Sequence, residues 1–336
     1  MLFLFISSIC VWAVIYSGMT AVSIALSGTA LEPPPPAAEQ EEVPTEPVTE
    51  PEVEAPTEPE ATEPESSSVA VSENNTVSGK ILTKTILPSS AKLSYNGIYL
   101  KNSTDAPINL REEFEAPFTL ALDETAEPQV LIYHTHATES FMLENRDYYT
   151  EGDAARSTDT SINMVAVGDK LRTQLEAAGI GVLHDKTLHD YPSYSGSYTA
   201  SAKTIKSYLQ KYPSIKIIID VHRDALGGGG NDKTKLVAEV NGKTAAQVML
   251  VMGSQTGVVT THPDWKENLH LAMRLQQTME SMYPSLARPI LLASKKYNQN
   301  LSKGALLLEV GTDANTLEEA LYSAELVGNA LAALLK

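Results

Sequence analysis

Ile215-Lys216-Ile217-Ile218-Ile219-Asp220-Val221-His222-Arg223-Asp224 decides how this chain is read. Ile215–Asp220 is a β-branched run with one lysine near its start, the pattern of a strand buried on both faces of a parallel sheet. Strand and helix patterns alternate outward from it. Upstream, Val130–Tyr133 is a short apolar run, and Asp159–Ala178 reads as a helix. In that helix Ile162, Val165, Ala166, Leu171 and Leu175 recur near a 3.6-residue spacing, and Gly179 is the stop. Gly181–Leu183 reads as a strand, and Tyr198–Tyr212 as a helix ended by Pro213. Downstream, Leu236–Val240 and Ala245–Val251 flank Asn241-Gly242, a type I′ hairpin signal. Trp265–Met282 is helical, Ile290–Leu292 and Ala305–Val310 are strands, and Leu317–Leu335 is a final helix. This alternation predicts an α/β fold: a mostly parallel sheet with helices on both faces and an edge hairpin.

The rest of the chain is organised around that domain. Leu2–Leu26 carries no charge, and about 25 helical residues span roughly 37 Å, enough to cross a bilayer. Residues 1–30 are therefore expected to be a membrane anchor. A cleaved signal peptide ending at Ser27-Gly28-Thr29-Ala30 is the competing reading. Residues 31–78 are rich in Pro and Glu and are expected to be a disordered spacer, because such a segment cannot bury enough apolar surface to offset ordering. Lys80–Leu87 and Lys92–Leu100 predict two strands in a segment over 79–128, either an addition to the domain or a docking element. Residues 129–336 are the expected catalytic domain. The net charge is −17, with no Lys or Arg before Lys80, which argues against nucleic acid as a partner. Cys10 is the single cysteine, so no disulfide forms within the chain.

Ligands in open α/β sheets bind outside the carboxyl ends of strands. Three strand ends here carry chemistry: His134-Thr135-His136-Ala137-Thr138-Glu139, Asp220-Val221-His222-Arg223-Asp224 and Glu309-Val310-Gly311. Catalytic zinc takes three nitrogen or oxygen ligands and keeps a fourth position open. His136, Glu139 and His222 fit such a shell, and Glu309 is then the candidate general base. A lone carboxylate in an apolar strand is costly, which favours a functional reason for Glu309. His134 and His136 are read as pointing to opposite faces at the strand end. His136 is preferred as ligand because it shares the short motif with Glu139, with His134 in reserve or as a supporting donor. Asp220 either orients His222 or caps a turn. Arg223 either pairs with Asp224 at the surface or binds a substrate carboxylate or oxyanion. His184, His189, His262 and His270 are read as ordinary surface or core residues. Tyr191, Tyr194 and Tyr198 either line a sugar or peptide groove or simply pack. Gly227–Gly230 is no phosphate cradle, being without a Gly-Lys-Ser/Thr ending; it reads as a flexible lid or a surface loop. No Gly-x-Ser-x-Gly is present, which leaves a serine hydrolase without support.

Ile132–Ser140 and Ile218–Ala225, with Asn163-x-x-x-Val167-Gly168-Asp169 and Tyr212–Lys216 between them, resemble the stage II sporulation protein P family. The resemblance runs from about Gln129 to the end, and an N-terminal membrane segment with an acidic, proline-rich spacer is similar too. It implies a zinc-dependent peptidoglycan hydrolase of endospore formation, with N-acetylmuramoyl-L-alanine amidase and endopeptidase activities. It implies action during engulfment, from the membrane into the septal space between forespore and mother cell, together with the lytic transglycosylase stage II sporulation protein D. It also implies a phosphorylase/hydrolase-like domain similar to zinc N-acetylmuramoyl-L-alanine amidases. The family's histidines fall on His134, His136 and His222. Glu139 is the carboxylate ligand by similarity to zinc carboxypeptidases, whereas similarity to cell-wall amidases points to the place filled by Asp159. A zinc peptidase of stem peptides and a non-catalytic wall-binding scaffold with a structural metal are the alternatives to an amidase.

Overall fold

The computed structural model describes residues 76–336 apart from 126, 154 and 258. The anchor expected over 1–30, Cys10 and nearly all of the spacer lie outside the described residues. Among the described residues no helix is long and apolar enough to cross a membrane.

The first described element is β1 (Val77–Lys84), which starts two residues before the expected boundary. The predicted strand Lys92–Leu100 is instead two strands, β2 (Leu93–Tyr95) and β3 (Ile98–Asn102). Asn96 and Gly97 turn between them with φ of 49° and 78°, the positive angles of a type I′ hairpin. A helix without a predicted counterpart follows, α1 (Leu110–Glu115), capped by the Asn109 side chain. The chain continues through β4 (Val130–Tyr133), β5 (Tyr148–Thr150), α2 (Met164–Ala177), β6 (Val182–His184), α3 (Ser197–Lys211) and β7 (Ile217–Asp224). α2 starts later than the apolar spacing predicts, because Asn163 accepts from Val165 N as its cap. Then come β8 (Gly227–Gly229), β9 (Asp232–Val240), β10 (Lys243–Ala246), β11 (Val248–Gly253) and α4 (Trp265–Met282). The last elements are β12 (Ile290–Ala293), β13 (Ala305–Thr312) and α5 (Leu317–Leu335). A capping box between Thr316 and Glu319 starts α5.

The strands form two sheets. The larger has eight strands in the order β2-β3-β12-β11-β13-β7-β4-β6, and the smaller is built from β10, β9, β1 and β5, with β8 paired to β9. The larger sheet is parallel except at β11–β13 and at the β2–β3 hairpin on its edge. The mostly parallel α/β architecture therefore holds, with a different hairpin on its edge. Asn241-Gly242 does turn a hairpin, with φ of 50° and 74°, but it joins β9 to β10 in the smaller sheet. The predicted arm Ala245–Val251 breaks at Gln247. That buried amide accepts from Ile86 N at 2.7 Å and donates to the carbonyls of Ile86 and Ser285 at 2.9 and 2.8 Å, where the chain passes from one sheet to the other. Strands of the 79–128 segment take part in both sheets, β1 in the smaller and β2 and β3 in the larger. Gly227–Gly229 pairs with β9 instead of forming a loose loop.

Alternation along the central strands separates two faces. Ile132, Ile219, Val221, Leu306 and Leu308 pack with Leu171, Leu275 and Val327 of α2, α4 and α5 in the main core. Leu131, Tyr133 and Ile218 pack under Ile205 of α3 on the other face. α3 packs on the β4–β7 side of that face, and the carboxyl ends of β4, β7 and β13 lie side by side at one edge of the sheet.

One helix position is constrained by close approach. A Cβ on Gly168 of α2 would lie 2.6 Å from His184 Nε2 and 2.7 Å from His134 Nε2. Glycine-to-alanine changes in helices normally stabilise, by roughly 0.5–1 kcal/mol. Gly168→Ala should instead destabilise by about 1–3 kcal/mol through overpacking, measured by urea unfolding; a stabilised variant would refute the contact.

Candidate active site

The chain leaves β4 at Tyr133 and turns, and two buried acids fix that turn. Thr135 donates from N and Oγ1 to Asp220 at 2.8 and 2.6 Å, and its Oγ1 also meets Ser201 Oγ of α3 at 2.9 Å. Thr138 Oγ1 donates to Asp190 Oδ2 at 2.6 Å. The turn carries His136 and Glu139 to the α3 side of the sheet. His136 Nδ1 lies 3.4 Å from Ser197 Oγ, and its ring stacks on Tyr194 with centroids 4.4 Å apart.

His134 goes elsewhere. Its Nδ1 donates to Val221 O at 2.9 Å, and its Nε2 lies 2.8 Å from His184 Nε2. His184 Nδ1 is 3.0 Å from Asp169 Oδ1, and Lys186 Nζ donates to Asp169 Oδ2 at 2.7 Å. His134 is thus the buried end of a polar chain against α2, and its reserve role as a ligand is corrected. The expected separation of His134 from His136 is present, but strand alternation does not cause it. Positions two apart on a strand share a face; these part because the strand ends at Tyr133.

Asp220 and His222 share one face of β7. His222 Nε2 lies 2.9 Å from Asp220 Oδ1, yet off the line a hydrogen bond needs, so it is buried without a hydrogen-bond partner. Its other nitrogen, Nδ1, stands 3.6 Å from Glu139 Oε2. The His136 and His222 rings approach edge-on, with centroids 5.2 Å apart. On β13, Glu309 is the register partner of His222, and its Oε2 is buried with no hydrogen-bond partner. The structure therefore brings together His136, Glu139, His222, Asp220 and Glu309 from three strand ends. Asp159 stays outside: its exposed carboxylate accepts from Ser161 N and Oγ at 2.9 and 2.6 Å, an ordinary turn.

Arg223 fits neither of its expected roles. Its side chain is buried and donates to the carbonyls of Ser140, Ala155 and Asp224 at 3.1, 2.7 and 3.3 Å. It clamps the β4 turn to β7, and its backbone N donates to Glu139 Oε2 at 3.2 Å. The cation at the mouth of the site is Arg156, in the loop before α2. Its Nη1 donates to Asp190 Oδ2 at 2.7 Å, its Nη2 is 3.7 Å from Glu139 Oε1, and its guanidinium lies over the Tyr194 ring at 4.7 Å. Periodicity could not reveal Arg156 or Asp190, since both lie in loops. Tyr194 and Tyr198 do flank His136, whereas Tyr191 is exposed nearby in sequence. A groove of about 630 Å³ lined by Arg146, Tyr148, Lys235 and Glu319 opens on the smaller sheet and includes none of these residues.

Charge is crowded at this sheet edge. Burial opposes ionisation of Glu139, but the His222 imidazole and the Arg223 cation outweigh it and hold its pKa well below the usual carboxylate range. Burial also opposes protonation of His222, and the carboxylates of Asp220 and Glu139 overcome it and raise its pKa. His136 is pushed down to about 4, mainly by burial. Glu309 is pushed up to about 8 by burial, against the nearby His222.

Can this set hold a metal? Among the described residues, no group of three or more His, Cys, Asp or Glu side chains is placed so that it could hold a metal ion as it stands. The donor chemistry nevertheless fits zinc: two imidazoles and a carboxylate. Two ligands each about 2.0–2.1 Å from a tetrahedral ion stand roughly 3.3 Å apart, close to the 3.6 Å between His222 Nδ1 and Glu139 Oε2.

Glu309 yields a test with a definite sign. Its folded pKa, about 8, exceeds the ordinary 4.5, so its ionisation favours unfolding and stability falls as pH rises between those values. Metal-free Glu309→Gln should match the unsubstituted protein near pH 5 and exceed it at pH 8 by roughly 1–3 kcal/mol. Parallel pH profiles from denaturant titration would contradict the raised value.

Residues 21–332 match the family described as Stage II sporulation protein P (SpoIIP). The chain is 34% identical over 203 residues to Stage II sporulation protein P of Bacillus subtilis (strain 168), covering 56% of this chain and 47% of that protein. The match thus spans about half the length of that relative. Among solved structures, the CwlD amidase from Clostridioides difficile in complex with the GerS lipoprotein is similar at 13% identity. It covers 60% of this chain and 94% of that one, with a TM-score of 0.38. The apo N-acetylmuramyl-L-alanine amidase Ami1 from Mycobacterium abscessus is similar at 12% identity, covering 62% of this chain and 100% of that one, with a TM-score of 0.36. The family match extends over most of the chain, the described site included, and the chain belongs to the Stage II sporulation protein P family.

Proposed function

We propose that this chain is a zinc-dependent peptidoglycan hydrolase of sporulation that cleaves the amide between N-acetylmuramic acid and L-alanine. The observation that carries the reading is the meeting of His136, Glu139 and His222 beside Glu309, which β13 holds in register with His222. Family membership supports the cell-wall setting. His136, Glu139 and His222 would hold the ion, and Asp220 would orient His222 from behind. When bound, zinc would supply Lewis acidity toward the scissile carbonyl and lower the pKa of water.

The protein's own groups do the remaining work. Glu309 has a buried oxygen with no partner; a cation held beside it would draw its pKa down from about 8, leaving the carboxylate ionised to take a proton from the attacking water and return it to the leaving amine. The crowd of carboxylates around His222 is costly by itself, and a dication offsets it. Tyr194 is partly exposed, but His136 stacks on its ring and the Arg156 guanidinium lies over it, so it would offer its exposed edge to a sugar or peptide. The reading includes a membrane anchor within residues 1–30, an extracytoplasmic catalytic domain and cooperation with the transglycosylase stage II sporulation protein D.

Incubation of purified protein with peptidoglycan and mass analysis of the products tests the reaction. Release of free stem peptides is expected. Cut cross-links with peptides still joined to sugar would make it an endopeptidase, and zinc content without products a scaffold. His222→Ala should lose both bound zinc and cleavage, and Asp220→Ala should weaken zinc binding by roughly 10–100-fold. Cleavage by the His222→Ala protein would end the metal assignment.

A further inference from the structure

The sheet edge beyond Glu309 holds a cation that the scheme above does not use. Arg288 lies just before β12 and reaches the same edge as the carboxyl ends of β7 and β13, because β11 and β12 run opposite to β13. Its backbone is fixed there: Arg288 N donates to Val248 O at 2.7 Å, and its carbonyl accepts from Gln276 Nε2 at 2.9 Å. Met249, beside Val248, is the register partner of Glu309, which in turn pairs with His222. Arg288, Glu309, His222 and His136 thus succeed one another across the edge of the sheet.

The side chain is held but not saturated. Arg288 is 8% exposed, and Nη1 donates to Asp224 Oδ2 at 2.8 Å, on the strand that carries His222. Nε and Nη2 make no hydrogen bond within the described residues, and neither is among the buried atoms left unpartnered, so both keep access to solvent. A guanidinium offers its donors as a planar fork that fits a carboxylate in two-point fashion. Met249, Val251 and Leu307, with Tyr297 packed on them, form an apolar floor along the same face. A peptide lying on that floor would bring an acidic group to Arg288 while its amide lies at Glu309.

We propose that Arg288, fixed by Asp224, anchors a carboxylate on the peptide part of the substrate, so that the site selects acidic stem peptides over their amidated forms. This rests on the hydrolase reading, but binding can be measured without turnover. The probes are a short stem peptide with a free glutamate carboxylate and the same peptide carrying a carboxamide, titrated calorimetrically into the full chain. The carboxylate form should bind roughly 10–100-fold more tightly, as a charge-assisted hydrogen bond implies. Arg288→Gln should abolish that preference, and Arg288→Lys should retain part of it. On paired peptidoglycan substrates the loss should appear in KM more than in kcat. Equal binding of the two peptides, or a preference that survives Arg288→Gln, overturns the proposal. If Arg288→Gln does not fold, discrimination by the unsubstituted protein and by Arg288→Lys decides. Turnover without preference removes the anchor and leaves the hydrolase; preference without turnover does the reverse.

Discussion

The hydrogen-bonded register between β7 and β13 is the constraint on which the site depends. It aligns Leu308 with Val221 and Glu309 with His222, so the core residues of both strands fall on one face while the imidazole and carboxylate fall on the other. A slip by one residue would bury Glu309 against α2 and α5 and turn Leu308 to the other face. The apolar set that packs with α4 and α5 therefore aims the chemistry as well as stabilising the sheet. Immediately after Glu309 the register shifts, and Gly311 takes a φ of 66°. A side chain there would meet Ala246 and Asn315 within 3 Å, so the strand can bend away only at a glycine.

A second constraint is electrostatic. Asp220, Glu139 and Glu309 crowd around two buried imidazoles, where like charges cannot all ionise freely. Each relieves this differently. Asp220 accepts from both donors of Thr135, Glu139 takes the Arg223 amide and the nearby Arg156, and Glu309 holds its proton to about pH 8. These environments divide the carboxylates into those suited to bind a cation and one suited to move a proton.

How much of this the sequence reveals depends on the kind of signal. Val130–Tyr133, Trp265–Met282 and Leu317–Leu335 coincide with their elements, because buried strands and amphipathic helices write their environment into side-chain periodicity. His136, Glu139, His222 and Glu309 were legible for a related reason: charged or ligating residues closing apolar runs stand out. Arg156, Asp190 and Arg288 were not legible, since they lie in loops and reach the edge through side-chain length and tertiary placement. α1 was too short for periodicity to register. The Asn96-Gly97 turn was legible in principle, and the β-branched and aromatic residues on either side masked it. Arg223 misled because its neighbour Asp224 suggests a surface pair, whereas its donors meet three carbonyls. Strand-end position predicted its location correctly and its partners wrongly.

The reversal at β11 has a consequence for how such a site can change. In a fully parallel sheet, loops following strands furnish every group at the reactive edge. Here β12 starts at that edge, so the segment entering it from α4 contributes as well. On the proposals made above, one half of the sheet would assemble bond cleavage and the other peptide selection, with the β11–β13 seam between them. Variation in the α4–β12 turn would then change the groups beside Arg288 while His136, Glu139 and His222, which lie on other segments, stay untouched. On that reading, the fold separates what would be cut from how it would be cut.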